Sequence, residues 1–430
     1  MAGAGERLIV TPFHPLSILA LGIFLIAYLL VMLEEVIDLK KSKPVVLASG
    51  LIWLLVGVMA MQGGTSAEAA KAARESIMDY GELLLFLLVS ITYVNVLEER
   101  RVFEALRGRL ASAGYSFRQL YWILGLSTFA LSVVLANMTT ALVMGAVALG
   151  LGRGNAKFVT LACINIVVAS NAGGAFCPFG DVTSLMIWQA GKLAFLPFFK
   201  LFVPALLSWL IPAALMTLAL PKGGPESRAE RVSTKPGATA VVLLFAATII
   251  ISVLMNMLLG LPPVAGMVLG LGLLQGLAYF TQRRKDDLVL DSFREMQRIE
   301  WDTLLFFFGI MFSIGGLAHL GWLALANNAL YTGLSPTLAN IFVGPLSALL
   351  DNVPLVYAVL QMNPQMGEGQ WLLLALSAGV GGSMLSIGSS AGIALMGLAG
   401  KDYTFGKHLR WLPAIALGFV ASVATHLMLN

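Results

Sequence analysis

Apolar runs of membrane-crossing length recur along almost the whole chain, and no other feature restricts the fold as strongly. They lie at about 16–36, 45–61, 83–97, 120–152, 158–190, 195–220, 238–259, 263–280, 304–320, 334–360, 372–398 and 412–429. A helix rises about 1.5 Å per residue, so roughly twenty apolar residues cross the hydrocarbon core of a bilayer. The pattern predicts an all-α polytopic membrane protein. Of 430 residues, 58% are hydrophobic and only 12% are charged, about half the charged fraction of an ordinary soluble domain.

The N-terminus has no basic region and no small-residue cleavage site before its first apolar run. That run is therefore expected to be a retained helix and not a signal peptide. The formal net charge of +4 is spread over short loops, which points away from a nucleic-acid partner. Cys163 and Cys177 have no metal or redox spacing and read as reduced structural residues in apolar context.

One run is interrupted in a way that a simple span cannot explain. Residues 158–169 are apolar and lead into Ser170-Asn171-Ala-Gly-Gly-Ala-Phe-Cys-Pro-Phe-Gly180-Asp181-Val-Thr183-Ser184, after which residues 185–190 are apolar again. Three glycines, a proline, an amide and a carboxylate break helical hydrogen bonding. At bilayer depth, freed backbone groups are tolerated only where protein or trapped water satisfies them. The stretch predicts a spanning helix broken near its middle, with Asn171 and Asp181 at the break, as at ion and substrate sites of transporters.

The block 120–152 is too long for one span and is interrupted at Ala136-Asn137-Met138-Thr139-Thr140, with Arg118 before it and Arg153 after it. A re-entrant hairpin fits. A second such block, 334–360, breaks at Asp351-Asn352-Val353-Pro354, and the run 372–398 breaks at 383–392. Residues 63–78 form a polar, amphipathic stretch before the third run. If the loop after the first run is cytoplasmic, cytoplasmic loops hold most of the 27 lysines and arginines, while 318–400 contains none. The positive-inside rule then brings the two hairpins in from opposite faces.

Opposite orientation suggests an inverted repeat. Three landmarks pair at one offset of 215 positions: Ser132 with Ser347, Asn137 with Asn352, and Asn171 with Ser386. The expected division is N-terminal transmembrane helices at 1–78, a first repeat at 79–220 and a cytoplasmic linker at 221–237. Connecting helices and a basic loop at 238–300 and a second repeat at 301–430 complete it. Each repeat contains one re-entrant helical hairpin and one broken transmembrane helix.

Such a repeat would gather Ser132, Asn137, Thr139, Asn171, Asp181, Thr183, Ser184, Ser347, Asp351, Asn352, Ser386 and Ser389. These are hard oxygen donors, suited to a hard cation. Only Asp181 and Asp351 carry charge, and no lysine, arginine or histidine falls in these motifs. A stranded carboxylate in hydrocarbon costs several kcal/mol unless it is protonated or paired. The expected partner is therefore a proton or a bound sodium ion, and a carboxylate that takes one or the other couples the two. Each residue also has a plainer reading. Asp181 and Asp351 suit helix N-caps, the latter with Pro354 in the first turn. Ser386 and Ser389 suit close helix packing. Glu34, Glu35, Asp79, Glu82, Asp302 and His319 fall at helix ends, where interfacial solvation accounts for them, and His14, His408 and His426 receive no role.

At these motifs the chain resembles the NhaD-type sodium/proton antiporters, within the ion-transporter superfamily that includes arsenite and dicarboxylate carriers. The resemblance is carried by Ser-Asn-Ala-Gly-Gly-Ala-Phe-x-Pro-x-Gly-Asp-Val-Thr from Ser170 to Thr183, Leu350-Asp351-Asn352-Val353-Pro354-Leu355-Val356, and Ile387-Gly388-Ser389-Ser390-Ala391-Gly392. It covers nearly the whole chain from His14-Pro15 onward. It implies sodium or lithium export against protons without a cofactor, a homodimer in membrane lipid, and a bacterial inner (plasma) membrane location. It also implies that Ser132, Asn137, Asn171, Asp181, Thr183, Ser347, Asn352, Ser386 and Ser389 line the transport site. One position departs from the family. Ala136 stands where an aspartate usually precedes the hairpin asparagine, which leaves Asp181 and Asp351 to carry the exchange.

Two functions remain in view. One is exchange of sodium or lithium for protons by alternating access at a midplane carboxylate. The other is a sodium- or proton-coupled carrier of a small anion such as a dicarboxylate or oxyanion, since half-helix N-termini attract anions. Asp181 and Asp351 oppose the second. Enzyme motifs such as His-Glu-x-x-His or Gly-x-Ser-x-Gly are absent from the sequence, so no intramembrane catalysis is expected.

Overall fold

A computed structural model describes residues 12–112, 114–225, 233–283 and 291–430. The described residues form helices and no strand. In chain order the helices are α1 Pro15–Met32, α2 Glu34–Ile37, α3 Ser42–Gly63, α4 Ser66–Glu99, α5 Val102–Ser112, α6 Phe117–Leu131 and α7 Asn137–Leu151. Next come α8 Ala156–Ala175, α9 Val182–Gln189, α10 Phe202–Thr217, α11 Ala238–Leu259, α12 Pro263–Arg283, α13 Ser292–Gln297 and α14 Trp301–His319. The last are α15 Trp322–Asn327, α16 Pro336–Leu349, α17 Asn352–Met362, α18 Glu368–Gly381, α19 Ser390–Ala399, α20 Phe405–Leu409 and α21 Leu412–Leu429.

Among the described residues, nine helical stretches are long and apolar enough to cross a membrane. The most apolar, α11, reaches a mean hydropathy of 2.6 and leaves Leu243, Ile250, Leu254 and Leu258 exposed, which fits a helix solvated by lipid acyl chains. The expected runs are present, with one difference in form. Residues 63–78 do not make a separate amphipathic piece. From Ser66 they continue into the next run as the single 34-residue helix α4, because Ala- and Glu-rich sequence propagates a helix once apolar residues anchor it.

The chain divides into two compact units, each drawn from both halves of the sequence. One comprises the described part of Met1–Leu84 with Glu300–Ala339 and Val353–Gln365. Its core joins Ala20, Ile52, Val56, Met59, Ala60, Ala69, Leu317 and Leu320. Polar groups there turn to backbone acceptors: the half-buried Trp53 donates Nε1 to Phe312 O at 2.8 Å, and the buried Tyr80 donates its OH to Leu304 O at 3.0 Å.

The other unit comprises Leu85–Ile299, Asn340–Asn352 and Met366–Asn430 and contains both helix breaks that follow α8 and α18. At its centre is α8, in which every residue from Leu161 to Ala175 is buried. Asn155 caps its start by accepting from Phe158 N at 3.0 Å. Its buried Asn165 is satisfied by donating to Tyr121 O at 2.8 Å and accepting from Trp209 Nε1 at 2.7 Å.

At each expected hairpin tip the chain is interrupted between two short helices. The arms α6, α7, α16 and α17 have 15, 15, 14 and 11 residues, each shorter than a bilayer crossing requires. The broken helices are also present, α8 with α9 and α18 with α19. Here the first break is narrower than its composition implied. Helix α8 continues through Ser170, Asn171, Gly173 and Gly174, and only Phe176 to Asp181 is non-helical. Gly173 and Gly174 serve close packing and do not end the helix. A Cβ on Gly173 would lie 2.2 Å from Phe129 O, and one on Gly174 would lie 2.8 Å from Gly180 O.

Candidate ion site

The first break satisfies its own freed backbone groups. Gly180 N donates to Cys177 O at 3.0 Å, Ser184 Oγ donates to Ala175 O at 3.0 Å, and Asn137 N donates to Gly180 O at 3.1 Å. The last bond brings the start of α7 onto the break. Asp181 is the N-cap of α9, with its side chain accepting from Thr183 N at 3.3 Å and from Thr183 Oγ1 at 2.7 Å. Asn352, the first residue of α17, points Nδ2 at both carboxylate oxygens from 3.5 Å.

The second break repeats this geometry at an offset of 208 positions. Gly388 N donates to Leu385 O at 3.1 Å, as Gly180 N does to Cys177 O. Ser389 caps α19 as Asp181 caps α9. The positions of Gly382 and Gly388 match those of Gly174 and Gly180, and in both pairs a Cβ on the first would collide with the carbonyl of the second. The hairpins keep the offset of 215, since α7 begins at Asn137 and α17 at Asn352. Sequence pairing of Asn171 with Ser386 at 215 therefore does not match the geometry of the breaks. By the bonds just named, Asn171 corresponds to Gly379 and Asp181 to Ser389. The path from hairpin tip to break is seven residues shorter in the second half, as the offsets of 215 and 208 show, and the difference lies in the helices: α17 and α18 have 11 and 14 residues where α7 and α8 have 15 and 20.

The correspondence extends to the contacts. A Cβ on Gly379 would lie 2.9 Å from Asp181 Oδ2, so the carboxylate rests beside a bare stretch of α18. At the matching place, Asn171 Nδ2 on α8 donates to Ser389 Oγ at 3.0 Å. Asn171 Oδ1 in turn accepts from Asn137 Nδ2 at 3.2 Å. Asn137, Asn171 and Ser389 thus form one hydrogen-bonded chain, and Asp181, Thr183 and Asn352 form another. All six are buried, none more than 7% exposed.

The remaining sequence candidates divide. Ser132 Oγ donates to Ser170 O at 2.6 Å and Ser347 Oγ to Ala378 O at 2.8 Å. These two serines pin each hairpin tip to the adjoining helix at matching points. Ser386 is fully buried, and its hydroxyl makes no hydrogen bond among the described residues. Asp351 is half-buried and directly precedes Asn352. Thr139 is half-buried, while its neighbour Thr140 is buried and donates to Leu135 O at 3.3 Å. Ala136 is the N-cap of α7 and supplies no side-chain bond. Gly379 was missed from sequence, although Ala378-Gly379-Val380-Gly381-Gly382 echoes the small-residue run after Asn171.

The arrangement gathers carboxylate, amide and hydroxyl oxygens at interrupted helices in a protein of spanning helices, which is the construction of a membrane transporter and not of an enzyme. The comparisons agree. The citrate-transporter family matches residues 28–379. An Na(+)/H(+) antiporter NhaD of Halomonas elongata is 48% identical, covering 100% of this chain and 91% of its own. Its namesake in Vibrio cholerae is also 48% identical, covering 96% and 91%. Sodium/proton antiporter 1 of Arabidopsis thaliana is 31% identical over 95% of this chain and 72% of its own. The chain belongs to the NhaD family of antiporters, within the ion-transporter superfamily, and is an integral membrane protein.

Proposed function

We propose that this protein exchanges sodium, or lithium, for protons across a bacterial inner membrane by alternating access, with Asp181 as the group for which the two ions compete. The observation that carries this reading is the company Asp181 keeps. It is 3% exposed, and its hydrogen-bond donors are the Thr183 hydroxyl, the Thr183 amide and the Asn352 amide, all neutral. A carboxylate shielded from water without a fixed cation needs a mobile one. A proton removes the charge, and sodium balances it while accepting hard oxygen ligands. Thr183 and the carbonyl oxygen of the Asn352 amide complete such a set. Asp351, beside Asn352, supplies a second acid to the same face, and Asn137, Asn171, Ser386 and Ser389 supply neutral oxygens.

The matched breaks support an inverted repeat, with 79–220 and 301–430 exchanging places about an axis in the membrane plane. Two structurally equivalent halves with opposite orientation would offer two openings of one site related by that two-fold axis, which is the requirement of alternating access. The names of the relatives support sodium and proton as the transported pair. A homodimer in lipid belongs to the same proposal, supported by the exposed apolar faces of α1 and α11.

Proteoliposomes with an imposed pH gradient test the reading. Sodium addition will dequench a trapped pH dye, and Asp181→Asn and Asp351→Asn will each abolish the response. Normal transport by either neutral variant would remove that acid from the site. The citrate-transporter match favours a second reading, a coupled carrier of a small carboxylate. It is opposed by the charge of Asp181, and uptake of a labelled dicarboxylate without sodium-dependent dequenching would establish it.

A further inference from the structure

The two breaks are held in place by different means. Around the first, Phe176 stacks on Phe129 at 5.6 Å and meets Phe202 at 5.3 Å, while Phe179 meets Phe86 at 5.4 Å and Trp188 at 5.7 Å. The second break, 382–389, carries no aromatic residue. It is gripped instead by an imidazole. His408 Nε2 lies 3.0 Å from Ser383 O, and His408 Nδ1 lies 2.7 Å from Tyr403 OH. A carbonyl only accepts, so Nε2 carries the proton, and Nδ1 accepts from the tyrosine hydroxyl. Both rings are wholly buried.

The segment that carries this pair is itself fastened to α8. Thr160 Oγ1 donates to Asp402 O at 2.6 Å, and Lys407 Nζ donates to Lys401 O at 2.6 Å and to Asp402 O at 3.2 Å. One connection therefore runs from α8 through Asp402, Tyr403 and His408 to Ser383. Six residues further on is Ser389, whose hydroxyl receives Asn171 of the same α8. The break is stretched between two attachments to one helix. Beside Ser389, Gly388 lets the break sit directly on the hairpin tip, since a Cβ there would lie 2.6 Å from the Ala348 backbone.

We propose that His408 is a positioning residue for ion binding, acting through Ser383 to hold the second break where Ser389 meets Asn171. The proposal deepens the antiport reading and rests on it for its transport readout. His408 touches no ion. It sets the path of a backbone that has no aromatic cluster to set it. Burial pushes the imidazole down to about 4, so it stays neutral while it does this. Tyr403 fixes the ring's tautomer and orientation.

The test uses the full-length protein as wild type, His408→Phe, His408→Gln and Tyr403→Phe. Hydrogen exchange followed by mass spectrometry reads peptides covering 382–392, and proteoliposome assays read the apparent KM for sodium and the maximal rate separately. Loss of one buried, geometry-setting hydrogen bond is expected to raise KM by about fivefold to tenfold. His408→Phe will speed exchange in 382–392 and raise KM, with the maximal rate changed less. His408→Gln, which keeps a donor for Ser383 O, will restore most of the KM, and Tyr403→Phe will fall between. If His408→Phe does not fold, the glutamine and Tyr403 variants carry the same comparison. Unchanged exchange in 382–392 would overturn the proposal, as would faster exchange with an unchanged KM. A wild type that protects 382–392 through His408 but shows no sodium-dependent proton flux would overturn the antiport reading and the ion-binding role together, leaving only the structural clamp.

Discussion

Asn171, on the last turns of α8, donates its side-chain amide to the hydroxyl of Ser389, the residue that caps α19, at 3.0 Å. The two residues lie 218 positions apart and belong to different sequence halves. The bond joins the first arm of one broken helix to the break of the other. Asn171→Ala and Ser389→Ala each leave a buried polar partner unsatisfied, at a cost of about 1–3 kcal/mol. Each is expected to weaken apparent sodium affinity about tenfold or more. Because both remove the same bond, the double variant will lose less than the sum, with a coupling of about 0.5–3 kcal/mol. Strict additivity in the transport KM would separate the two residues.

Ala136 leaves α7 without a side-chain cap, although its backbone is already extended at ψ 138°. Aspartate there would accept from the first free amides of the helix and stabilise it by about 0.5–2 kcal/mol at neutral pH. Ala136→Asp is expected to raise the melting temperature in detergent. It is also expected to alter the sodium dependence of exchange, because it adds an acid beside Asn137. A lower melting temperature with unaltered transport would argue that Ala136 is fitted to this tip.

Gly379 leaves room for the Asp181 carboxylate. A methyl group there would lie 2.9 Å from Asp181 Oδ2 and 3.1 Å from Ala175 Cβ. Since Thr183 and Asn352 also hold that carboxylate, it cannot move aside without losing a partner. Gly379→Ala is expected to raise the sodium KM roughly tenfold and to cost about 1–3 kcal/mol of stability. Gly397→Ala, on α19 with nothing within 4 Å of its added Cβ, is the control. It will leave transport unchanged and gain about 0.5–1 kcal/mol from reduced backbone freedom.

His408 gives the folded state a pH dependence whose direction can be assigned. Its imidazole is held down to about 4 in the fold, chiefly by burial, against about 6.5 in an unfolded chain. Between those values the unfolded state binds a proton that the folded state refuses, so stability falls as pH falls. The contribution is complete above about pH 6.5 and is lost progressively toward pH 4. Thermal denaturation of His408→Gln from pH 7 to 4 is expected to show a flatter decline than wild type. Parallel curves would mean that the ring is not sealed from solvent.

Much of the architecture was legible in the sequence because a bilayer imposes one strong rule: apolar length means a helix, and an interruption must be satisfied by protein. The bounds 238–259 and 412–429 read from hydropathy coincide with α11 and α21. Asn137, Asp181, Asn352 and Ser389 stand where helices restart, and those positions were legible because helix-breaking and capping residues have a local signature. Composition misled where glycine had two meanings. Gly173 and Gly174 looked like helix breakers, but they lie inside α8 and admit Phe129 O and Gly180 O. Thr139 and Thr140 could not be told apart, since the burial of one depends on how α7 is rotated in its packing.

By itself, the sequence determined the membrane-spanning class, the places where helices must stop, and the restriction of charge at those places to two acids. These follow from the cost of exposing peptide groups and charges to hydrocarbon, which every segment meets locally. Only the tertiary structure decided that the breaks match at 208 and not at the 215 read from sequence, that Asp181 lies beside Gly379 while Ser389 meets Asn171, and that His408 holds Ser383. Those relationships join residues far apart in the chain, and side-chain contact depends on the packing of whole helices, which no local spacing records.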